Sequence, residues 1–113
     1  MTARLPAHLE VAGLIRRTQS AGGFAAVIRK GDADAGTLAL VLTENGEPGR
    51  LYERMPQADG TRAWHCSRRQ DAQDPQEFAE YLSRRMQQDR DLWIVELDIA
   101  DPERLIGLQT PAG

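Results

Sequence analysis

Between Phe24 and Arg54 the chain alternates β-favouring runs with turn residues in a way that leaves few folds open. Phe-Ala-Ala-Val-Ile-Arg leads into Lys30-Gly-Asp-Ala-Asp-Ala-Gly36, and Thr-Leu-Ala-Leu-Val-Leu-Thr into Asn45-Gly46 and Pro48-Gly49. Arg50-Leu-Tyr-Glu-Arg54 completes the stretch. Strands punctuated by Gly, Asp, Asn and Pro read as an antiparallel meander. In the second run Leu38, Leu40 and Leu42 share one face, and Thr37, Ala39 and Val41 the other. Both faces are largely apolar, so this strand must be covered on both sides.

The flanking segments supply the cover. Pro6 suits the first turn of a helix, and Val11, Leu14, Ile15 and Thr18 then follow i, i+3, i+4, i+7 spacing until Gly22-Gly23 stops it. Asp59-Gly60 marks the turn between a third strand, Arg50–Met55, and a fourth, Arg62–Ser67. Asp74-Pro75-Gln76-Glu77 carries a cap, an N1 proline and a capping-box acid, and predicts a second helix lined by Phe78, Tyr81, Leu82 and Met86. A last strand, Leu92–Ile99, is apolar on both faces and therefore interior. One helical turn follows Asp101-Pro102, and residues 110–113 read as a loose tail. The predicted order is α-β-β-β-β-α-β, an α+β fold with a mostly antiparallel sheet of about five strands and two main helices. The helix before the last strand permits a parallel placement for that strand.

At 113 residues the chain is expected to form a single domain over residues 1–113. A net charge of −3 argues against a general polyanion binder. One cysteine, Cys66, excludes an internal disulfide and fits a reducing compartment. Arg4, Pro6, His8 and Glu10 interrupt the N-terminus, and no segment reaches the roughly 18 apolar residues of a membrane span. A cytoplasmic location and no membrane partner are the expectations. The basic residues are nearly all arginine, and Lys30 is the one lysine.

Few residues offer chemistry. Asp32-Ala-Asp34 places alternate carboxylates in a Gly-flanked loop, as an oxygen-ligated cation site would. The calcium-loop pattern fails where Gly36 and Thr43 stand, and turn chemistry alone explains the aspartates. Lys30 beside them makes a charged constellation with no partner motif. His65-Cys66 resembles a base and nucleophile, but strand neighbours point to opposite faces, and Cys66 shares its face with Trp64. His8 is the other histidine, too few for a histidine-rich metal site. There is no phosphate-binding glycine loop, dinucleotide fingerprint or nucleophile elbow, and no cofactor is expected.

The third and fourth strands form the most promising surface. An even-length turn through Asp59-Gly60 places Arg50, Tyr52, Arg54 and His65 on one face, able to stack on bases and bind phosphates. An odd-length turn exchanges the partners. The bland alternative is a solvated face, or one covered by a helix with its arginines snorkelling. Glu53, Glu96 and Asp98 inside strands suggest pairing with an arginine such as Arg62 or Arg68.

Four stretches carry a resemblance: Arg-Leu-Pro-Ala-His-Leu-Glu-Val near the start, residues 30–36, Arg-Leu-Tyr-Glu-Arg-Met-Pro-Gln at 50–57, and Asp-Leu-Trp-Ile-Val-Glu-Leu-Asp-Ile at 91–99. Together they resemble a family of short bacterial proteins known as domain of unknown function 1491. The resemblance covers nearly the whole chain and implies a small stand-alone cytoplasmic protein, with no activity or residue role attached. Three readings follow. The first is a non-catalytic interaction protein, with a protein partner or a homodimer. The second is an RNA or nucleotide-phosphate binder using Arg50, Tyr52, Arg54 and His65. The third is an enzyme using Lys30, Asp32 and Asp34. An exposed Arg/Tyr/His face favours the second, a concave pocket around Lys30 the third, and a covered face with an apolar edge the first.

Overall fold

The structure is a computed structural model describing residues 5–46, 48–56 and 58–107. The tail expected over residues 110–113 lies outside the described residues. Helix α1 spans Ala7–Ser20, followed by strands β1 (Phe24–Arg29), β2 (Leu38–Thr43), β3 (Arg50–Pro56) and β4 (Arg62–Arg69). Helix α2 (Pro75–Gln88), strand β5 (Trp93–Asp98) and a single turn, α3 (Pro102–Leu105), complete the order. This is the α-β-β-β-β-α-β sequence expected, with the extra turn after Pro102 also in place. Among the described residues, no helix is long and apolar enough to cross a membrane.

The five strands form one sheet in the order β1-β5-β2-β3-β4. β5 inserts between β1 and β2, antiparallel to the first and parallel to the second, with Leu40 beside Val95 and Leu42 beside Leu97. The sheet is therefore mixed, because α2 returns the chain to the end from which β2 started. β2 and β5 are interior, which is why both read as apolar on two faces; every residue of β2 is buried.

Each face carries one long helix. Leu38, Leu40, Leu42, Trp93, Val95, Leu97 and Tyr52 pack beneath α1 through Ala7, Val11 and Leu14. On the opposite face Ala39, Val41, Leu51, Leu92 and Ile94 pack beneath α2 through Phe78, with Tyr81, Leu82 and Met86 at its border. A fully buried leucine or isoleucine contributes about 1.5–3 kcal/mol, so the two interior strands dominate stability. At the start of α2, the Asp74 carboxylate accepts from the Glu77 amide at 3.4 Å, the predicted cap.

Both edge strands are bulged. In β1 the register with β5 slips between Val27 and Arg29, leaving Ile28 as the extra residue. In β4 the slip relative to β3 makes Ser67 the extra residue, since Tyr52 faces Cys66 and Leu51 faces Arg68. Bulges of this kind limit edge-to-edge association of whole strands.

Candidate functional site

The loop holding Lys30, Asp32 and Asp34 is an architectural joint. The Asp32 carboxylate accepts from the amides of Asp34 at 2.9 Å and Ala35 at 3.1 Å, and these backbone bonds hold it below the usual carboxylate range. The carbonyls of Asp34 and Ala33 accept from the first amides of α1, those of Ala7 and His8, and so cap the helix that Pro6 opens. His8 Nδ1 lies 2.9 Å from the same Ala33 carbonyl. Trp93 Nε1 donates to the Asp32 carbonyl at 2.7 Å, and the Asp32 amide donates to the Asp91 carbonyl. Gly31 and Gly36 are required by proximity, since a Cβ at either would overlap the Asp91 carbonyl oxygen. Lys30 is exposed and pairs with neither aspartate. Among the described residues no group of three or more His, Cys, Asp or Glu side chains is placed to hold a metal ion.

The face proposed for phosphate or base contacts is divided and covered. Arg54 faces Trp64 and Tyr52 faces Cys66 across β3–β4, while His65 faces Glu53 on the other side of the sheet. His65 is thus separated from Arg50, Tyr52 and Arg54, correcting the even-turn expectation. The cause is the length of the connection, residues 57–61 between the paired Pro56 and Arg62. Asp59-Gly60 is the middle of that odd-length loop: Thr61 donates its amide and hydroxyl to Asp59, and Gly60 takes φ +87°. A slip of one residue exchanges every side chain between faces.

On the α1 side, Arg50 makes a two-pronged pair with Glu103 of α3, one prong at 2.7 Å, and the Tyr52 hydroxyl donates to the same carboxylate at 3.1 Å. Hydrogen bonds from Arg50 hold the Glu103 carboxyl below its usual range, while burial is the main cause that pushes the Tyr52 phenol up. Arg54 makes a matching pair with Glu10 of α1, one prong at 2.8 Å, and its guanidinium lies 4.8 Å from the centre of the Trp64 ring. The side chains of Arg50 and Arg54 are only 17% and 16% exposed, so neither is presented to solvent as a free cation.

The α2 side repeats the device. Glu53 accepts from Arg85 of α2 at 2.5 Å and from the Ser67 hydroxyl at 2.8 Å. Its partner is therefore in a helix, where Arg62 and Arg68 were the sequence candidates. Arg68 instead pairs with Glu77 at 2.6 Å and lies over the Tyr81 ring. The pairing roles of Glu10, Glu103 and Arg85 escaped the sequence reading because each partner lies on a different element, and no local spacing reports such contacts; Glu77, expected as a capping-box acid, accepts from Arg68.

Exposed large apolar side chains gather on β1, with Leu5, Leu9 and Met55 exposed elsewhere. Phe24 is 61%, Ile28 45% and Val27 43% exposed, on a strand whose outer edge no described strand pairs. Ala25 packs toward α1, so Phe24 and Ala26 lie on the α2 side, where no β1 residue joins the cluster under α2. Arg29 alone reaches across, donating to the carbonyls of Met86 and Arg90. Beside Phe24 and Ala26 stand Asp98 and Glu96 of β5. Asp98 accepts from the Asn45 amide at 2.9 Å; the half-buried side chain of Glu96 makes no hydrogen bond or ion pair with any described residue.

A mixed five-stranded sheet with one long helix on each face, the Arg50, Glu53, Arg54 and Arg68 side chains of its strands tied to helices, defines an α+β class. The chain belongs to the family described as "Protein of unknown function (DUF1491)", whose profile matches residues 5–107. It is similar to the crystal structure of a DUF1491 family protein from Caulobacter crescentus CB15, with 34% identity and a TM-score of 0.76 over 97% of this chain and 100% of that one. The solution structure of an A. tumefaciens protein is 31% identical, with a TM-score of 0.77 over 97% of this chain and 100% of that one. No curated protein matches the chain.

Proposed function

We propose that this is a small, non-catalytic, single-domain protein of the bacterial cytoplasm that binds another protein through the β1 edge of its sheet. One observation carries the reading. The arginines and tyrosine that a phosphate-binding role would use are engaged in holding helices and the Asp32 carboxylate in closing its own loop, while Phe24, Val27 and Ile28 stand exposed on an edge that no described strand pairs. An extended segment gains main-chain hydrogen bonds by adding to such an edge, and side-chain contacts supply selectivity. Phosphate at Arg50 or Arg54 would have to displace Glu103 or Glu10, and chemistry at the Asp32 carboxylate would have to break its hydrogen bonds from the Asp34 and Ala35 amides. Binding at β1 requires neither. Relatives from Caulobacter crescentus and A. tumefaciens support the bacterial setting.

Photo-crosslinking in the host cell tests this. Benzoylphenylalanine replacing Val27 is expected to give a discrete protein adduct, whereas the same group replacing Arg69 on the opposite edge gives none. Adducts only at position 69, or at neither position, would sink the reading.

A further inference from the structure

We infer that the β1 edge selects a partner strand carrying a lysine or arginine in register with Ala26, recognised by Glu96. The inference rests on the preceding reading and adds the chemistry of the partner. Ala26 and Glu96 are directly paired across β1 and β5, and Val41 lies next to Glu96 across β5 and β2. An added strand would extend this row by one position, with Glu96 two strands away, roughly 10 Å. That distance matches the combined reach of a long cationic side chain and a glutamate. Ala26 is the one residue between them, and its methyl group leaves the path open. Phe24 flanks the path on the same face, offering apolar cover to the stem of the incoming side chain.

Charge complementarity sets the sign. Glu96 has no cation among the described residues, and Asp98 lies two residues along the same face of β5. A depression of about 450 Å³ continues from this strip, lined by Gly22, Phe24, Asn45, Asp98 and Ile99 among others. Its carboxylate adds to the same negative field. A second copy of this chain fits poorly as the occupant. Antiparallel pairing of two β1 strands about Ala26 places alanine against alanine, and the strand's one cation, Arg29, is held by the carbonyls of Met86 and Arg90. The bulge at Ile28 further confines regular pairing to Phe24–Val27.

The test uses two synthetic eight-residue peptides of alternating valine and threonine, identical except for a central lysine or glutamate, titrated into the full chain and followed by amide NMR. The lysine peptide is expected to shift Phe24–Val27 and Glu96. Glu96→Gln should weaken it about fivefold, as for a partly shielded ion pair. The glutamate peptide should bind more weakly still. Ala26→Lys should abolish the preference for the lysine peptide, because its own ammonium fills the row and pairs with Glu96; circular dichroism establishes that this variant folds. Equal affinity for both peptides, indifference to Glu96→Gln, shifts confined to β4, or a homodimer by light scattering would each overturn the inference. A crosslink at position 27 that persists alongside charge-blind peptide binding removes only the lysine or arginine selection. Loss of both the crosslink and peptide binding removes the interaction reading as well.

Discussion

On the α1 face, strand β3 supplies the cations, Arg50 and Arg54, and the helices supply the acids, Glu103 and Glu10; on the α2 face β3 supplies the acid, Glu53, and the helix the cation, Arg85. The alternation of β3 thus sends opposite charges to opposite layers. Each pair sits at the border of an apolar cluster, where it is partly shielded and fixes where a helix rests. Coverage is where the faces part. α1 lies along β1 and β5. The cluster under α2 draws on β2, β3 and β5 and stops short of β1. The α1 layer reaches β1 but leaves Val27 43% exposed, and the α2 layer has an open flank beside Phe24 and Glu96.

The largest effects should come from the paired clusters. Leu40 and Val41 are neighbours on β2 that point to the α1 and α2 faces respectively. Leu40→Ala should cost about 3–4 kcal/mol and Val41→Ala about 2 kcal/mol in urea unfolding, the difference following the volume removed. Equal costs would mean that the two clusters relax differently around a cavity.

Next come the tethers. Glu10→Ala and Glu53→Ala each leave a partly buried arginine unpaired, and each should cost about 1–2 kcal/mol after allowance for residual solvent. Because the pairs lie on opposite faces with no shared partner, the double variant should be additive within about 0.5 kcal/mol. A larger coupling would show that the sheet transmits strain between its faces.

Acid separates one tether further. Hydrogen bonds from Arg50 lower the Glu103 carboxyl, so the folded chain binds that proton more weakly than the unfolded one. Its contribution is complete above the ordinary glutamate value of about 4.3 and is lost as pH falls through the lowered folded value. Glu103→Gln should therefore cost about 1 kcal/mol at pH 7 and show a shallower decline below pH 4 than the parent chain. Parallel curves would remove Glu103 as a source of acid sensitivity.

The smallest effect marks the open flank. Phe24→Asp should change stability by less than about 0.5 kcal/mol, because the ring is largely exposed, while eliminating the crosslink at position 27. Stability loss comparable to Val41→Ala would instead make Phe24 part of the core.

Much of this architecture was legible. Val11, Leu14 and Thr18 gave α1 by periodicity, Asp74-Pro75 gave the start of α2, and the two-faced apolar runs gave β2 and β5 as interior. Those signals are local, and burial enforces them. The parity of β3 and β4 was not legible, because Asp59-Gly60 fits both a two-residue turn and the middle of a longer loop. One residue of slip moved His65 to the Glu53 side. The candidate residues at Arg50, Tyr52 and Arg54 were found, but their role depends on Glu103 and Glu10, more than forty positions away in sequence. The β1 flank was hidden for another reason: Phe24–Arg29 reads like any half-buried strand until the reach of α2 is known.

The insertion of β5 between β1 and β2 also has a consequence for synthesis. The strand that joins β1 to β2 is missing until Trp93–Asp98 leaves the ribosome, so β1 and β2 wait with their facing edges unpaired. At about 5–20 residues per second, the stretch between the ends of β2 and β5 takes roughly 3–11 seconds to translate. A nascent chain shorter than this holds three strands, β2 to β4, and a stray β1, so a premature stop before Trp93 leaves an adhesive fragment rather than a smaller version of the protein.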